Sequence, residues 1–383
     1  MSDPAALIAA WARSAVAPHG GAFNTLQPHD IAAPVVRALL ARAGISAQAV
    51  DAVVLGNALG AGGNPARMLA LAAGLSERCA AFSVDTQCCA GLDAVSMAVG
   101  LLASGQASVV IAGGVEAWSR APIRQVRPLR AGEPAVSYEK PAFAPDPARD
   151  PDLLMAAALY AQQHGFTRAQ QDAYAVLSHQ RATAHAATVA DEIVPVNGLG
   201  HDAYPRAIDL GRAARMPIAV KQTQADCAVS TLAISAKADG AALVLLATPQ
   251  ACQDFGLVPH AAWVTSASVG VDSITPLIAA EKAAWAAMTR VGFPSVNSLQ
   301  VIELHDAFAV QGLSFCQALG IDPTRINRHG GGLARGHPIG ASGAIALVRL
   351  LADLQRDEGK GAQGLVAVAG AGGIGAAAIV ERL

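Results

Sequence analysis

The chain carries one architecture twice. In its first half the apolar run Ala52-Val53-Val54-Leu55 ends at Gly56-Asn57, and Cys88 follows at the start of an expected helix. In its second half the run Gln300 to Leu304 ends at His305, and His337 follows His305 at the same separation as Cys88 follows Gly56, again just before an expected helix, here Ala344 to Leu354. Each half closes with an apolar run entering glycines, Val109 to Gly114 and Leu365 to Gly370. Strands alternating with helices imply α/β layers with sheets covered on both faces, and the repeated order implies an internal duplication.

The two helix starts differ in the chemistry they carry. After the strand-like run Ala80 to Val84, Cys88 stands where backbone N–H groups and the positive end of a helix dipole are directed at its sulfur, an arrangement expected to favour the thiolate. Alone, such a cysteine reads as a small residue packing a strand–helix elbow. His337 changes that reading. It belongs to Asn327 to Gly343, where Gly330 to Gly332 allow close approach and Pro338 pre-sets a turn, so a rigid loop presents the imidazole as a general base. The glycine run is not a phosphate cradle, because no Gly-Lys-Ser/Thr ending and no GxGxxG after a strand accompany it.

Composition narrows the class. The 383 residues exceed one ordinary domain, and 53% apolar content can fill more than one core. With 15% charged residues and a net charge of −2, nothing points to nucleic acid or to an anionic membrane. No apolar run approaches the roughly 18–20 residues of a membrane span. Met1 to Pro18 lacks a signal pattern, and Glu381-Arg382-Leu383 is not a peroxisomal address. The six cysteines (Cys79, Cys88, Cys89, Cys227, Cys252 and Cys316) have no metal-ligand spacing and are too few to staple this chain, so reduced thiols in a cytoplasm are expected, with no metal. Abundant Ala and Gly with few aromatics imply tight helix–sheet packing.

Several further stretches fall in order along the chain: Asn64-Pro65-Ala66-Arg67, Gly113-Gly114-Val115-Glu116, Ser119-Arg120-Ala121-Pro122, Gln171 to Val176, Asp239-Gly240-Ala241-Ala242, His305-Asp306-Ala307-Phe308-Ala309 and Gly370 to Gly375. With Cys88 and the Gly330 to Gly343 loop, they resemble the thiolase family nearly end to end. The resemblance implies a duplicated five-layer α-β-α-β-α core: an N-terminal half (1–119 plus 239–258), a C-terminal half (259–383), and an inserted loop domain (120–238) that covers the site and holds coenzyme A. It implies that Cys88 accepts the acyl group, that His337 removes its proton, and that the N–H groups of Cys88 and Ala371 form the oxyanion hole. Ser235 matches a family serine that contacts pantetheine. The basic residues Arg206, Arg212, Arg215 and Lys221 either meet the nucleotide phosphates or form a solvated surface. The acyl thioester is substrate, so no cofactor is expected, and a homodimer or homotetramer is.

The chain also departs from the family. Cys89 stands where glycine is usual, and reads as a packing residue rather than a second catalyst. Alignment through Gly364-Leu365 and Gly372-Gly373 puts Ala369 where most thiolases have the second cysteine, which abstracts the α-proton of acetyl-CoA. His305 replaces the usual asparagine; His-Asp-Ala-Phe is similar to sterol-carrier-protein-type thiolases. Cys88, His305 and His337 together resemble the Cys-His-His set of decarboxylating ketoacyl synthases. Leu153 to Ala158 replaces a run that usually ends in a carboxylate, implying a more apolar pocket. Three functions stay open: a carbon–carbon bond-forming acyltransferase using decarboxylation or an activated acceptor, supplied by coenzyme A or an acyl-carrier protein; an ordinary acetyl-CoA C-acyltransferase in which Cys89, His305 or water is the base; and a non-catalytic partner subunit.

Overall fold

The computed structural model describes residues 4–60, 62–220, 223–292 and 295–383. Nine strands form the main sheet path: β1 (Leu7–Ser14), β2 (Ala52–Gly56), β3 (Ala80–Val84), β4 (Val109–Ala117), β5 (Ala238–Ala247), β6 (Ala261–Gly270), β7 (Val301–His305), β8 (Gln363–Gly370) and β9 (Ile374–Arg382). Their order is β3-β2-β4-β5-β1-β6-β9-β8-β7. Read outward from the centre, the first half runs β1-β5-β4-β2-β3 and the second β6-β9-β8-β7, with Ile326 bridging Ile302 where a counterpart of β3 belongs. Among the described residues the two half-sheets pair through Leu7↔Ala262 and Ile8↔Ala261. The duplication expected from the sequence is therefore present in the pairing itself.

What joins the halves is a central pair of helices. The major helices are α1 (Pro28–Ala43), α2 (Pro65–Ala73), α3 (Ala90–Ala103), α4 (Leu153–His164), α5 (Arg168–Ala184), α6 (Ala279–Arg290), α7 (Ala309–Leu319) and α8 (Ser342–Asp357). Successive strand residues point to opposite faces. Thus Ile111 and Leu243 meet α1 and α2, whereas Val110 and Val244 meet α3 and α8. In the other half-sheet Val366 faces α3 and α8, and Leu365 faces α6 and α7. Five layers result: helices, sheet, α3 with α8, sheet, helices. The central helices approach backbone to backbone: a Cβ on Gly91 would lie 3.1 Å from Ala344 N, and one on Gly343 would lie 3.2 Å from Leu92 N. The glycine- and alanine-rich composition is the condition for that contact.

Residues 118–237 lie between neighbouring strands β4 and β5. They include α4 and α5, separated because Gly165 adopts φ 70° and ends α4. A small hairpin, Arg124–Val126 with Val136–Tyr138, precedes them. Among the described residues, no helix is long and apolar enough to cross a membrane.

Candidate active site

Cys88 lies in a 3₁₀ turn, Gln87–Cys89, between β3 and α3. Gln87 has φ 54°, a left-handed backbone that costs a side-chain-bearing residue about 1 kcal/mol or more. Asp85 Oδ1 offsets this by accepting from Gln87 N at 2.9 Å and from Gln87 Nε2 at 3.0 Å. Asp93, within the first turn of α3, accepts from Thr86 Oγ1 at 2.6 Å and Ser268 Oγ at 2.5 Å. The turn is fixed on both sides of the sulfur.

His337 comes from the opposite half. Its Nε2 is 3.1 Å from Cys88 Sγ, and its Nδ1 is 2.7 Å from Ser342 Oγ. Ser342 Oγ donates to Pro338 O at 3.0 Å, so the hydroxyl accepts from Nδ1–H and leaves the Nε2 lone pair facing the thiol. Ser342 was invisible to motif reading as a functional residue; its signal was the spacing to His337 across a helix start. Ser342→Ala is expected to slow alkylation of Cys88 about fivefold, as one lost hydrogen bond of about 1 kcal/mol implies. Mass spectrometry of the alkylated peptide against time measures it.

The expected thiolate is not the resting form. Burial pushes the Cys88 thiol up to about 12, although the backbone N–H groups of Ala371 and Cys88 reach the sulfur and act the other way. The helix start supplies those donors, but desolvation of a buried anion outweighs them. Burial likewise pushes His337 down to about 4. The pair therefore rests as neutral thiol and neutral imidazole, poised for proton transfer as the sulfur attacks.

His305, at the end of β7, has its ring centroid 4.4 Å from that of His337, with 31° between the planes. Burial, and then the neighbouring His337 and Arg335, hold it well below the ordinary histidine range. Its Nε2 is buried without a hydrogen-bond partner, so one imidazole nitrogen remains uncommitted beside the thiol–imidazole pair. Asp306 anchors this corner, accepting from Tyr174 Oη of α5 at 2.9 Å and from Leu333 N at 3.3 Å. Burial pushes Asp306 up to about 6 against those donors.

Ala371 follows β8 in a turn where Gly372 and Gly373 have φ 80° and 77°, a reversal that brings its N–H to Cys88. Ser235 is buried; its Oγ donates to Gly332 O at 2.6 Å, and its N donates to Ala307 O at 2.9 Å. It is thus tied to both the His305 corner and the His337 loop. Arg212 and Arg215 are exposed, and Arg206 lies over the Tyr204 ring at 4.4 Å. Lys221 falls outside the described residues. Cys89 is fully buried with its sulfur against Val368 O at 3.6 Å and Ile374 O at 3.7 Å. Its burial pushes that thiol well up. Ala369 sits one residue beyond Val368, the β8 partner of His305.

Comparison with known proteins places the chain in a family. Residues 6–250 match the thiolase N-terminal domain and residues 257–382 the thiolase C-terminal domain. The chain is 36% identical to acetyl-CoA acetyltransferases of Thiocystis violacea and of Rhizobium meliloti (strain 1021), over 100% of both chains in each case. The crystal structure of the Bacillus anthracis acetyl-CoA acetyltransferase superposes with a TM-score of 0.90 at 29% identity, covering 99% of this chain and 98% of that one. A thiolase from Ascaris suum in complex with coenzyme A gives 0.89 at 26% identity, covering 99% and 100%. With both domains matched and its strands duplicated about a central helix pair, this chain belongs to the thiolase family and is an acyltransferase.

Proposed function

We propose that the protein forms a carbon–carbon bond from an acyl thioester through an acyl-Cys88 intermediate, with a carbanion generated by decarboxylation rather than by a cysteine base. The observation that carries this reading is the site's inventory: a thiol 3.1 Å from an oriented imidazole, a second imidazole beside it, and alanine at position 369. Cys88 Sγ attacks the thioester carbonyl while its proton passes to His337 Nε2. The N–H groups of Cys88 and Ala371 receive the oxyanion, each such donor being worth about 3 kcal/mol. Collapse expels the first thiolate, which takes the proton back from His337 and leaves as a thiol. A malonyl-type thioester then loses CO2. His305 donates from Nε2, the nitrogen left without a partner, to the resulting enolate oxygen, whose carbon attacks the acyl group and expels the Cys88 thiolate, which is reprotonated from solvent. Neither half-reaction needs a redox group or metal, because substrate thioester and carboxylate supply the driving force.

Coenzyme A is the favoured carrier, since the relatives above are named for acetyl-CoA; a carrier-protein thioester fits the same chemistry. Ser235 is assigned to the pantetheine arm and Arg215 to the phosphates. A homo-oligomer is proposed from β3, an edge strand whose Phe82 is 45% exposed, and from exposed Met97 on α3. A cytoplasmic setting is proposed from six unpaired cysteines.

An ordinary acetyl-CoA acetyltransferase is the second reading, favoured by the names of the relatives. Exchange of acetyl-CoA α-protons into deuterated water separates the two. Under the first reading wild type exchanges poorly and condenses malonyl-CoA at least tenfold faster than acetyl-CoA, while Ala369→Cys raises exchange about tenfold or more. Condensation of two acetyl-CoA molecules by wild type at about 1–10³ per second would sink it.

A further inference from the structure

Beyond the residues assigned above, one face of β4 is shaped to the loop that carries His337. Gly114 and Glu116 project from the same side of the strand, and Trp118 follows from the turn after it. A Cβ on Gly114 would collide with Gly340 O. The Glu116 carboxylate accepts from Gly340 N at 3.0 Å, and Trp118 Nε1 donates to His337 O at 3.1 Å. The loop is therefore gripped at its first and fourth residues by two side chains, and at Gly340 O it lies against bare backbone.

Glu116 is fully buried, and among the described residues it has no cationic partner within ion-pair distance. Its other contacts are Asn57 Nδ2 at 2.8 Å and Ala58 N at 2.9 Å, in the turn after β2. Arg124 holds the far side of that turn through Leu59 O at 2.9 Å. A buried carboxylate satisfied only by neutral N–H donors is costly for a fold that needs stability alone, because removing it from water outweighs such bonds unless they are numerous and well aimed. Burial indeed pushes Glu116 up to about 7 despite its donors. No neutral side chain of this length offers two acceptor oxygens to donors from both directions.

We infer that Glu116 is a positioning residue for the reaction: by fixing the Gly340 amide it sets the reach of His337 Nε2 to Cys88 Sγ. The inference rests on His337 being the base that deprotonates Cys88, and the test separates the two. The readout is the rate of Cys88 alkylation by iodoacetamide at pH 7, localised by peptide fragmentation, because it needs thiol deprotonation but no substrate binding. A misplacement of about 1 Å costs on the order of 10²-fold, so Glu116→Ala is expected to slow alkylation between about tenfold and a hundredfold. Glu116→Gln keeps one oxygen for Gly340 N and Ala58 N, and is expected to recover most of that loss. In a His337→Ala background Glu116→Ala is expected to add nothing. Should Glu116→Ala not fold, Trp118→Phe tests the same grip from the other end, with a severalfold loss that also vanishes in the His337→Ala background. An equal loss from Glu116→Ala, or from Trp118→Phe, with and without His337 overturns the inference, as does a wild-type rate in Glu116→Ala. A His337→Ala variant that alkylates at the wild-type rate would instead overturn the assignment of the base.

Discussion

Cys88→Ala is expected to abolish the covalent acyl adduct and to lower turnover on the order of 10⁵-fold, the scale on which loss of a nucleophile acts when binding and oxyanion donors survive. The adduct is read by intact mass after incubation with acyl-CoA, before an acceptor is added. Cys89→Ala is the matched control. Its sulfur faces carbonyls of β8 and β9 rather than His337, so it is expected to form the adduct at nearly the wild-type rate while losing some stability to the small cavity. An adduct that persists in Cys88→Ala and maps to Cys89 would refute the assignment. Neighbouring thiols in sequence are thus separated by what their sulfur atoms touch.

His337→Ala is expected to slow acylation of Cys88 about 10³-fold at pH 7, within the range for loss of a general base. The pH profile is more diagnostic than the magnitude. Burial pushes His337 down to about 4, so the ring keeps its lone pair until the pH falls to that region. Wild type should hold a level acylation rate from about pH 8 down to about pH 5 and lose it below, rather than near the ordinary histidine value of about 6.5. Without the base, the rate should depend on spontaneous ionisation of a thiol pushed up to about 12. It should then rise about tenfold for each pH unit across the neutral range. An acid limb near 6.5 in wild type would mean that the imidazole titrates as it does in water, contrary to its place against Cys88 and Ser342.

Much of the scaffold was legible in the sequence because it depends on local pattern. The run Ala80 to Val84 is a strand with those ends, and the Gly113-Gly114 and Gly372-Gly373 pairs fall where backbones must approach or reverse. The Cys88–His337 pairing was legible too, since two uncommon residue environments at helix starts called for each other. Electrostatics was not. A helix start suggests a thiolate, but the degree of burial that reverses this is set by both half-sheets and by the turn at Ala371. Glu116 was visible only as part of a glycine-rich landmark, because its partner Gly340 lies in the other copy. Nor does Gln87 carry a sequence signal for its left-handed backbone; Asp85, which supports it, reads as an ordinary turn residue. The matched separations of Cys88 and His337 also hid an offset. In the structure Cys88 occupies the 3₁₀ turn equivalent to Ile339–Ala341, whose middle residue is Gly340, while His337 lies before that turn.

That offset bears on how such a site can arise. Two identical subunits meeting on a two-fold axis repeat every contact, so a thiol facing an imidazole across them would occur twice. Here the position equivalent to Cys88 is Gly340, and a Cβ there would lie 2.7 Å from Asn57 Cα. Glycine therefore stands where the second copy would carry its thiol, and the contact is made once. Two copies of differing sequence keep a shared helix pair while a single one of them carries the nucleophile. A chain holding both copies thus has one thiol–imidazole site where a dimer of identical halves would have two.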